Sequence, residues 1–251
     1  MKAMILAAGL GTRLRPLTND RPKALVEING RTLLEITISR LRTFGVTEII
    51  VNVHHHAGQI IDYLKSKINF GLRIEISREE VLLDTGGGVK KAAWFFLENP
   101  AQLDEPFLLH NVDVISTIDI AAMLQFHKAN SALATLAVQK RPSSRQLLFN
   151  DRNQLIGRRS DPDGPPATHL PVATRHSLLP SSFAFSGIHV ISPRLLPMLV
   201  EDGIFSIIDA YLRLSKNERI LAFRADQFYW RDLGRPADLT QAALDLRTSL
   251  R

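Results

Sequence analysis

The stretch MILAAGLGTRLRPLTNDRPKALVEING, residues 4–30, decides what kind of fold this chain adopts. A short apolar run, Lys2–Leu6, stops at two alanines and the glycines Gly9 and Gly11, as expected for a buried strand that enters a tight turn. Three arginines and a lysine follow the turn closely. Because a glycine-rich turn lets backbone N–H groups approach an anion, the stretch predicts a phosphate-binding loop. A plain tight turn with a solvated basic loop is the alternative.

The spacing of the glycines excludes two familiar phosphate-binding loops. A P-loop needs Gly-Lys followed by Ser or Thr, and the dinucleotide pattern G-x-G-x-x-G would need a third glycine where the chain has Leu14. A secretory leader is also disfavoured, because the apolar run is short and Arg13 and Arg15 follow it at once. We therefore expect residues 2–6 to be the first strand of a cytoplasmic protein.

The composition favours small anionic partners. The 251-residue chain is 45% hydrophobic and 22% charged, as is ordinary for a globular protein, and its net charge is +6. The aromatic residues lie in apolar contexts rather than among basic clusters, which argues against nucleic acid. No stretch reaches the roughly 20 apolar residues of a membrane helix, so we expect no membrane partner. The absence of cysteine excludes disulfides, thiol nucleophiles and cysteine-bound metals.

Strand-like and helix-like segments alternate through the first 140 residues. Predicted strands lie at 2–6, 48–53, 72–77, 106–114 and 131–138, and predicted helices at 32–45, 57–67, 87–99 and 118–130. This alternation predicts parallel βαβ units, and hence an α/β, Rossmann-like, mostly parallel mixed sheet with helices on both faces. Ligands bind at the carboxyl ends of strands in such sheets, so residues that follow strands are the candidates for a site.

The pattern changes after Lys140. Residues 146–159 predict a hairpin, and residues 158–181 predict a long loop that serves as a lid or an insertion. The remaining segments predict strands at 183–192, 219–225 and 228–232, helices at 193–200 and 205–214, and a terminal helix that begins at Pro236.

Two aspartates stand at the ends of predicted strands although they are far apart in sequence. Asp113 and Asp232 can therefore meet at one edge of the sheet, where two carboxylates suit Mg²⁺. Helix capping is the alternative role for each. The run of histidines at 54–56 cannot ligate one metal ion if it continues a strand, since successive side chains point to opposite faces. It is interpreted as a wall near a bound base or as a solvated turn.

Four motifs in order resemble the sugar-1-phosphate nucleotidyltransferase family. They are LAAGLGTRLRPLT with RPK further on, Thr85-Gly86-Gly87-Gly88, Asn111-Val112-Asp113, and the W-x-D-x-G motif at 230–234. The match spans about residues 1–120 and 183–250. Within the family, the chain looks most like the short bacterial N-acetylmuramate-1-phosphate uridylyltransferases and mannose-1-phosphate guanylyltransferase-like proteins.

The resemblance implies a reaction and a role for each matched residue. A nucleoside triphosphate and a sugar-1-phosphate would give a nucleoside-diphosphate sugar and pyrophosphate, with Mg²⁺ as cofactor. The implied catalytic residues are Arg13, Lys23, Asp113 and Asp232, of which Asp113 and Asp232 hold the metal. The implied nucleotide-binding residues are Leu6, Ala8, Gly9, Gly11, Thr12, Arg13, Thr85, Gly86 and Gly87. The implied sugar-phosphate-binding residues are Lys23, Asn111 and Gly187.

The resemblance also implies a single nucleotidyltransferase domain over residues 1–251. Its nucleotide-binding part covers 1–140, its sugar-binding part 141–235, and its C-terminal helix 236–251. The Glu-Lys-Pro segment with which many family members bind the sugar is not evident after Lys140, so the acceptor stays open. Transfer to another phosphorylated acceptor, such as phosphocholine or a polyol phosphate, and a non-catalytic nucleotide-sugar sensor are the alternatives. We expect a monomer or a small homo-oligomer.

Overall fold

The computed structural model describes residues 1–159, 167–168 and 180–248. The strands are β1 (Lys2–Leu6), β2 (Glu27–Ile28), β3 (Arg31–Thr32), β4 (Glu48–Val53), β5 (Arg73–Arg78), β6 (Phe107–Asn111), β7 (Val114–Ser116), β8 (Ala134–Gln139), β9 (Gln146–Phe149), β10 (Leu155–Arg159), β11 (Ala167–Thr168), β12 (Ser181–Ile191), β13 (Ile220–Arg224) and β14 (Trp230–Asp232). The α-helices are α1 (Leu33–Thr43), α2 (Ala57–Ser66), α3 (Asp84–Lys91), α4 (Ala93–Leu97), α5 (Ile120–Ala129), α6 (Ile207–Leu214) and α7 (Pro236–Thr248).

A mixed sheet forms the middle of the protein. Its strands follow the order β11-β10-β9-β12-β6-β1-β4-β5, β8 pairs in addition with β12, and β13 pairs with β8. The half that contains β6, β1, β4 and β5 is parallel, whereas β12 pairs antiparallel with β6, β8 and β9. The α/β Rossmann-like prediction is confirmed. Parallel pairing brings the carboxyl ends of β1, β4 and β6 to the same edge of the sheet.

Apolar clusters cover both faces of the sheet. Ile5 of β1 packs with Leu34 and Ile38 of α1 on one face, and Met4 packs with Phe96 of α4 on the other. These side chains are at most 2% exposed, and each contributes about 1.5–3 kcal/mol by its burial. Adjacent residues of β1 point to opposite faces, and both faces are covered, which explains why this strand is apolar from Ala3 to Leu6 rather than alternating.

The stretch at 106–114, predicted as one strand, is two strands with a turn between them. β6 ends at Asn111, the chain turns through Val112 and Asp113, and β7 then pairs with β14 in a separate two-stranded sheet. The Val112 N–H donates to the Leu6 carbonyl at 3.1 Å, and the Val112 side chain is buried. These contacts fix the turn against the end of β1 and present Asp113 in a turn instead of a strand.

The predicted helix at 87–99 is also divided. α3 begins at Asp84 and includes all three glycines, it ends at Lys91, and α4 starts at Ala93. Residues 193–200, predicted as an α-helix, contain a 3-10 helix at Pro193–Met198 with Pro197 inside it. Proline has no N–H for the α-helical ladder, which accounts for the change.

The residues at both ends of the predicted loop at 158–181 belong to strands. Arg158 and Arg159 belong to β10, the short strand β11 pairs with β10, and Ser181 already belongs to β12. The rest of the predicted loop lies outside the described residues. The predicted hairpin of β9 and β10 and the start of α7 at Pro236 are confirmed.

No helix in the described ranges is long and apolar enough to cross a membrane.

Candidate active site

The loop after β1 folds back on itself and leads to Lys23. Gly11 has a left-handed backbone with φ 65°, and a Cβ there would lie 3.0 Å from Thr18 Cγ2 and 3.3 Å from Lys23 Cβ. Thr18 Oγ1 donates to the Gly11 carbonyl at 2.8 Å, and Leu14 is buried beneath the loop. Glycine is therefore needed at position 11 for its backbone conformation and for the close approach of Thr18.

Three predicted residues from distant segments meet where β6 and β14 end. Lys23 Nζ donates to Asp113 Oδ2 and is almost entirely buried. The register of β14 against β7 places Asp232 opposite Val114, and the Leu233 N–H donates to the Asp113 carbonyl at 2.8 Å. The two carboxylates are thus neighbours, as their sequence positions at predicted strand ends suggested.

Asp232 is the residue of this group with the most unusual environment. Burial raises the pKa of the Asp232 carboxyl above its ordinary value, Asp113 acts in the same direction, and Lys23 and Arg13 oppose them. Asp232 Oδ1 is buried without a hydrogen-bond partner. An unsatisfied buried oxygen costs stability, and a cation bound there would remove that cost.

Arg13 lies directly on Gly234. A Cβ at Gly234 would be 2.9 Å from Arg13 Cζ, with the two terminal nitrogens at 2.9 and 3.0 Å. The last glycine of the W-x-D-x-G motif therefore leaves space for the arginine of the G-x-G-T-R motif. This contact also brings the positive charge of Arg13 close to Asp232, where it lowers the pKa of that carboxyl. No role for Gly234 was predicted from the sequence.

A cavity of about 380 Å³ opens between the end of β1 and the start of α3. Seven of the predicted site residues line it, namely Leu6, Ala8, Gly9, Lys23, Thr85, Asn111 and Asp113. The other predicted residues, Gly11, Thr12, Arg13, Gly86, Gly87, Gly187 and Asp232, are not among its lining residues. Gly11, Arg13 and Asp232 nevertheless contact or neighbour Lys23 and Asp113, whereas Gly86 and Gly87 face a different part of the chain.

The glycines of α3 are packed against the segment that precedes α6. A Cβ at Gly86 would lie 2.3 Å from the Phe205 ring, and a Cβ at Gly87 would lie 2.6 Å from the Gly203 carbonyl oxygen. The N–H groups of Gly86 and Gly87 point to the Phe205 carbonyl at 2.9 and 3.3 Å. Packing therefore explains both glycines, and their contact with a nucleotide stays a prediction. Thr85, one residue earlier, does line the cavity.

Comparison with known proteins identifies the family to which this site belongs. The family described as Nucleotidyl transferase matches residues 2–249. The chain is a member of the nucleotidyl transferase family.

Individual relatives of this nucleotidyl transferase act on different sugars, judged by their names. It is 32% identical to an N-acetylmuramate alpha-1-phosphate uridylyltransferase of Caulobacter vibrioides, over 93% of the chain and 92% of that relative. It is 30% identical to a mannose-1-phosphate guanyltransferase of Candida albicans, over 100% of the chain but 66% of that relative.

Two solved structures show the same fold at low sequence identity. The crystal structure of HddC from Yersinia pseudotuberculosis complexed with GMP-PN has a TM-score of 0.73 at 21% identity, and covers 98% of this chain and 99% of that one. A putative glucose-1-phosphate thymidylyltransferase from Bacillus anthracis has a TM-score of 0.79 at 18% identity, and covers 99% and 96%. This nucleotidyl transferase thus has the same fold as these two structures.

A second cavity of about 520 Å³ adjoins the first and shares Asp84, Thr85 and Asn111 with it. Its cationic lining comes from Arg145, Arg158 and Arg159, which were not predicted from the sequence. Gly187 lines neither cavity but lies against Asn111, which lines both: its φ is 74°, and a Cβ there would lie 2.9 Å from Asn111 Nδ2. The conformation of Gly187 therefore sets the room available to Asn111.

Two further residues that sequence reasoning missed, Asn52 and Glu79, connect the walls of the first cavity. The Ala7 N–H donates to Asn52 Oδ1 at 2.7 Å, and Asn52 Nδ2 donates to Glu79 Oε1 at 2.7 Å. Both residues stand at the carboxyl ends of strands, β4 and β5, so the rule that selected Asp113 also applies to them.

The histidines at 54–56 do not line either cavity. They follow β4 as a turn, in which His54 Nδ1 is 2.9 Å from the Glu79 carbonyl oxygen and His56 precedes α2 with φ 54°. The interpretation as a turn before the helix fits this arrangement, and the role as a wall beside a base stays a prediction.

Proposed function

We propose that this nucleotidyl transferase moves a nucleoside monophosphate from a nucleoside triphosphate to a sugar-1-phosphate and releases pyrophosphate, with Mg²⁺ as cofactor. The observation that carries the proposal is the meeting of Asp113 and Asp232 with Lys23 and Arg13 beside the first cavity. Two carboxylates and two cationic side chains from three sequence segments suit a reaction in which charge on phosphates must be neutralised.

The chemistry places few demands on proton transfer. An ionised phosphate oxygen of the acceptor attacks the α-phosphorus, a new P–O bond forms, and the bond to pyrophosphate breaks, so no proton has to be removed from the nucleophile. In agreement, no histidine is found among the described residues that line the first cavity. Catalysis then depends on positioning and on charge neutralisation.

The residues of the chain divide these tasks between them. Lys23 is placed to stabilise the charge on the transferred phosphate, because its buried ammonium already contacts Asp113 in the cavity. Arg13, held over Gly234, is placed to bind the leaving pyrophosphate. Asp113 and Asp232 would hold Mg²⁺, which supplies positive charge to the phosphate oxygens when it is bound. The described residues contain no cluster of three or more metal-binding side chains, so the other ligands would be substrate oxygens and water, as Mg²⁺ prefers.

The two cavities suggest which substrate lies where. The nucleotide would occupy the first cavity along Leu6, Ala8 and Gly9, with Gly11 and Thr12 shaping the loop and Thr85 on the opposite wall. The acceptor would occupy the second cavity, beside Asn111, which Gly187 contacts, and beside Arg145, Arg158 and Arg159. This division follows the proposed nucleotide-binding part at 1–140 and sugar-binding part at 141–235. Sugar-1-phosphate acceptors are favoured because the names of both relatives described above specify a sugar-1-phosphate substrate.

The test is pyrophosphate release with a matrix of four nucleoside triphosphates and a panel of sugar-1-phosphates, with and without Mg²⁺. We expect at least one pair to react with Mg²⁺, and Asp113→Asn to abolish that reaction. Phosphocholine and a polyol phosphate serve as alternative acceptors in the same assay. A matrix with no active pair, or an Asp113→Asn variant of full activity, would contradict the proposal. A cytoplasmic location and a monomeric or small homo-oligomeric state belong to the proposal as well.

A further inference from the structure

Glu79 is a buried carboxylate that the proposed reaction does not use. It follows β5, is 2% exposed, and accepts hydrogen bonds at both oxygens: Asn52 Nδ2 donates to Oε1 at 2.7 Å and the Leu83 N–H donates to Oε2 at 2.9 Å. No described lysine, arginine or histidine forms an ion pair with it. A buried carboxylate without a cationic partner is costly, so its position needs an explanation.

The hydrogen bonds around Glu79 have a fixed direction. The Ala7 N–H can only donate, so Asn52 must present Oδ1 to Ala7 and Nδ2 to Glu79. Leu83 also presents a backbone N–H. Glu79 therefore faces two donors, and a side chain with two acceptor oxygens satisfies both. Glutamine, which has the same shape but one acceptor and one donor, cannot satisfy both.

This network joins the two walls of the first cavity. Ala7 starts the loop that follows β1, and Leu83 directly precedes Asp84 and Thr85 at the start of α3. The space around the network is full, because a Cβ at Gly88 would lie 2.9 Å from Glu79 Oε1 and 3.0 Å from Asn52 Nδ2. Glycine at position 88 therefore leaves space for the Glu79 carboxylate.

We propose that Glu79 is a positioning residue that sets the separation between the phosphate-binding loop and the Thr85 wall, and so determines how tightly a whole nucleotide is held. The proposal rests on the proposed function, because it takes a nucleoside triphosphate as the occupant of the first cavity. Glu79 acts through Asn52 and Leu83 and does not itself line the cavity.

The test compares a ligand that spans both walls with one that contacts only the loop. For Glu79→Gln we expect the calorimetric Kd of the nucleoside triphosphate that binds wild type best to rise about tenfold or more, as for loss of a buried hydrogen bond. The Kd of inorganic triphosphate, which has no base, should change by less than about twofold. Equal losses for both ligands, or no loss for the nucleotide, would refute the positioning role.

A paired exchange provides the rescue control. In the double variant Asn52→Asp with Glu79→Gln, the introduced aspartate accepts from Ala7 and from the introduced glutamine amide. The glutamine oxygen accepts from Leu83, so every donor is again satisfied. Asn52→Asp alone places two carboxylates in contact. If the two substitutions acted independently, the factors by which each raises the nucleotide Kd would multiply in the double variant. We expect the Kd of the double variant to be at least tenfold lower than that product. Thermal melting should show that all variants are folded. Additive losses would refute the network.

A failure of the proposed function gives a different result from a failure of the positioning role. If wild type binds no nucleoside triphosphate, the proposed function itself fails. If wild type binds one and the variants bind it equally well, only the role of Glu79 fails.

Discussion

Gly234→Ala tests whether Arg13 must lie where the structure holds it. The new Cβ would be 2.9 Å from Arg13 Cζ, and contacting carbon atoms prefer about 3.5–4.0 Å, so the guanidinium has to move by about 0.6–1.1 Å. Displacement of a catalytic group by about 1 Å can cost about 100-fold in rate. We therefore expect kcat for pyrophosphate release to fall by about 10–100-fold.

The same substitution should leave the fold intact. The Arg13 side chain is exposed, so its guanidinium can move into solvent without disturbing the core, and Gly234 does not have a positive φ that alanine would strain. The Tm should thus stay within about 2 °C of wild type, which corresponds to less than about 1 kcal/mol for a chain of this size. A matched control is Gly58→Ala in α2, where a new Cβ meets nothing within 4 Å. It should leave kcat unchanged.

A double variant decides whether the effect runs through Arg13. In an Arg13→Ala background there is no guanidinium to displace, so adding Gly234→Ala should cause no further loss of kcat. The reasoning is refuted if Gly234→Ala alone has wild-type kcat, or if it lowers kcat by the same factor whether or not Arg13 is present.

Three other outcomes follow from the charges of the site and of the core. Lys23→Met should lower kcat by about 100-fold or more. It should also tighten Mg²⁺ binding to the free protein, because Asp113 loses its cationic partner. A calorimetric Mg²⁺ affinity equal to that of wild type contradicts the second expectation. Since burial raises the pKa of Asp232, its ionised form costs stability at pH values above the unfolded pKa of 3.8, so Asp232→Asn should raise the Tm of the metal-free protein at pH 7 while abolishing activity; a lower Tm would count against it. His110 and His189 have pKa values lowered by burial from 6.5 to about 4 and about 3, so stability should be complete above pH 6.5 and fall by up to about 1.4 kcal/mol per pH unit for each as the pH drops toward 4. Urea unfolding at pH 7, 6 and 5 measures this fall, and a flat profile contradicts it.

The sequence allowed the main elements of the fold and the central charges of the site to be predicted, for physical reasons. The apolar strand before Gly9 has to be buried, parallel strands have to end at one edge, and a carboxylate that follows such a strand has to face that edge. Asp113 and Asp232 were therefore predictable as neighbours although β14 pairs with β7 outside the main sheet. That separate sheet was not predicted, although Asn111 and Asp113, on either side of Val112, are residue types that favour turns.

Contacts that depend on close packing between distant residues were beyond sequence reasoning. Nothing near Gly234 indicates that the guanidinium of Arg13 covers it, and nothing near Gly86 indicates that the Phe205 ring takes the place of its side chain. Glu79 precedes Glu80 in a polar stretch that looks exposed, yet only Glu79 is buried. The periodicity of a sequence reports which face of an element is apolar, and it contains no information on which partner fills a given space.

The arrangement of charges in the free protein bears on how the site accepts its substrates. Lys23 and Arg13 oppose the negative charges of Asp113 and Asp232, but burial still raises the pKa of Asp232, so its charge is compensated only in part. The contact between Lys23 and Asp113 is nearly buried, and a phosphate oxygen can reach Lys23 only as that contact loosens. Each partner then needs a replacement charge at the same time, a phosphate for Lys23 and a cation for Asp113. A nucleotide that arrives together with its metal supplies both, whereas free nucleotide supplies one and leaves Asp113 beside Asp232 without compensation. Under the proposed function, we therefore expect the free site to bind a metal–nucleotide complex more tightly than free nucleotide.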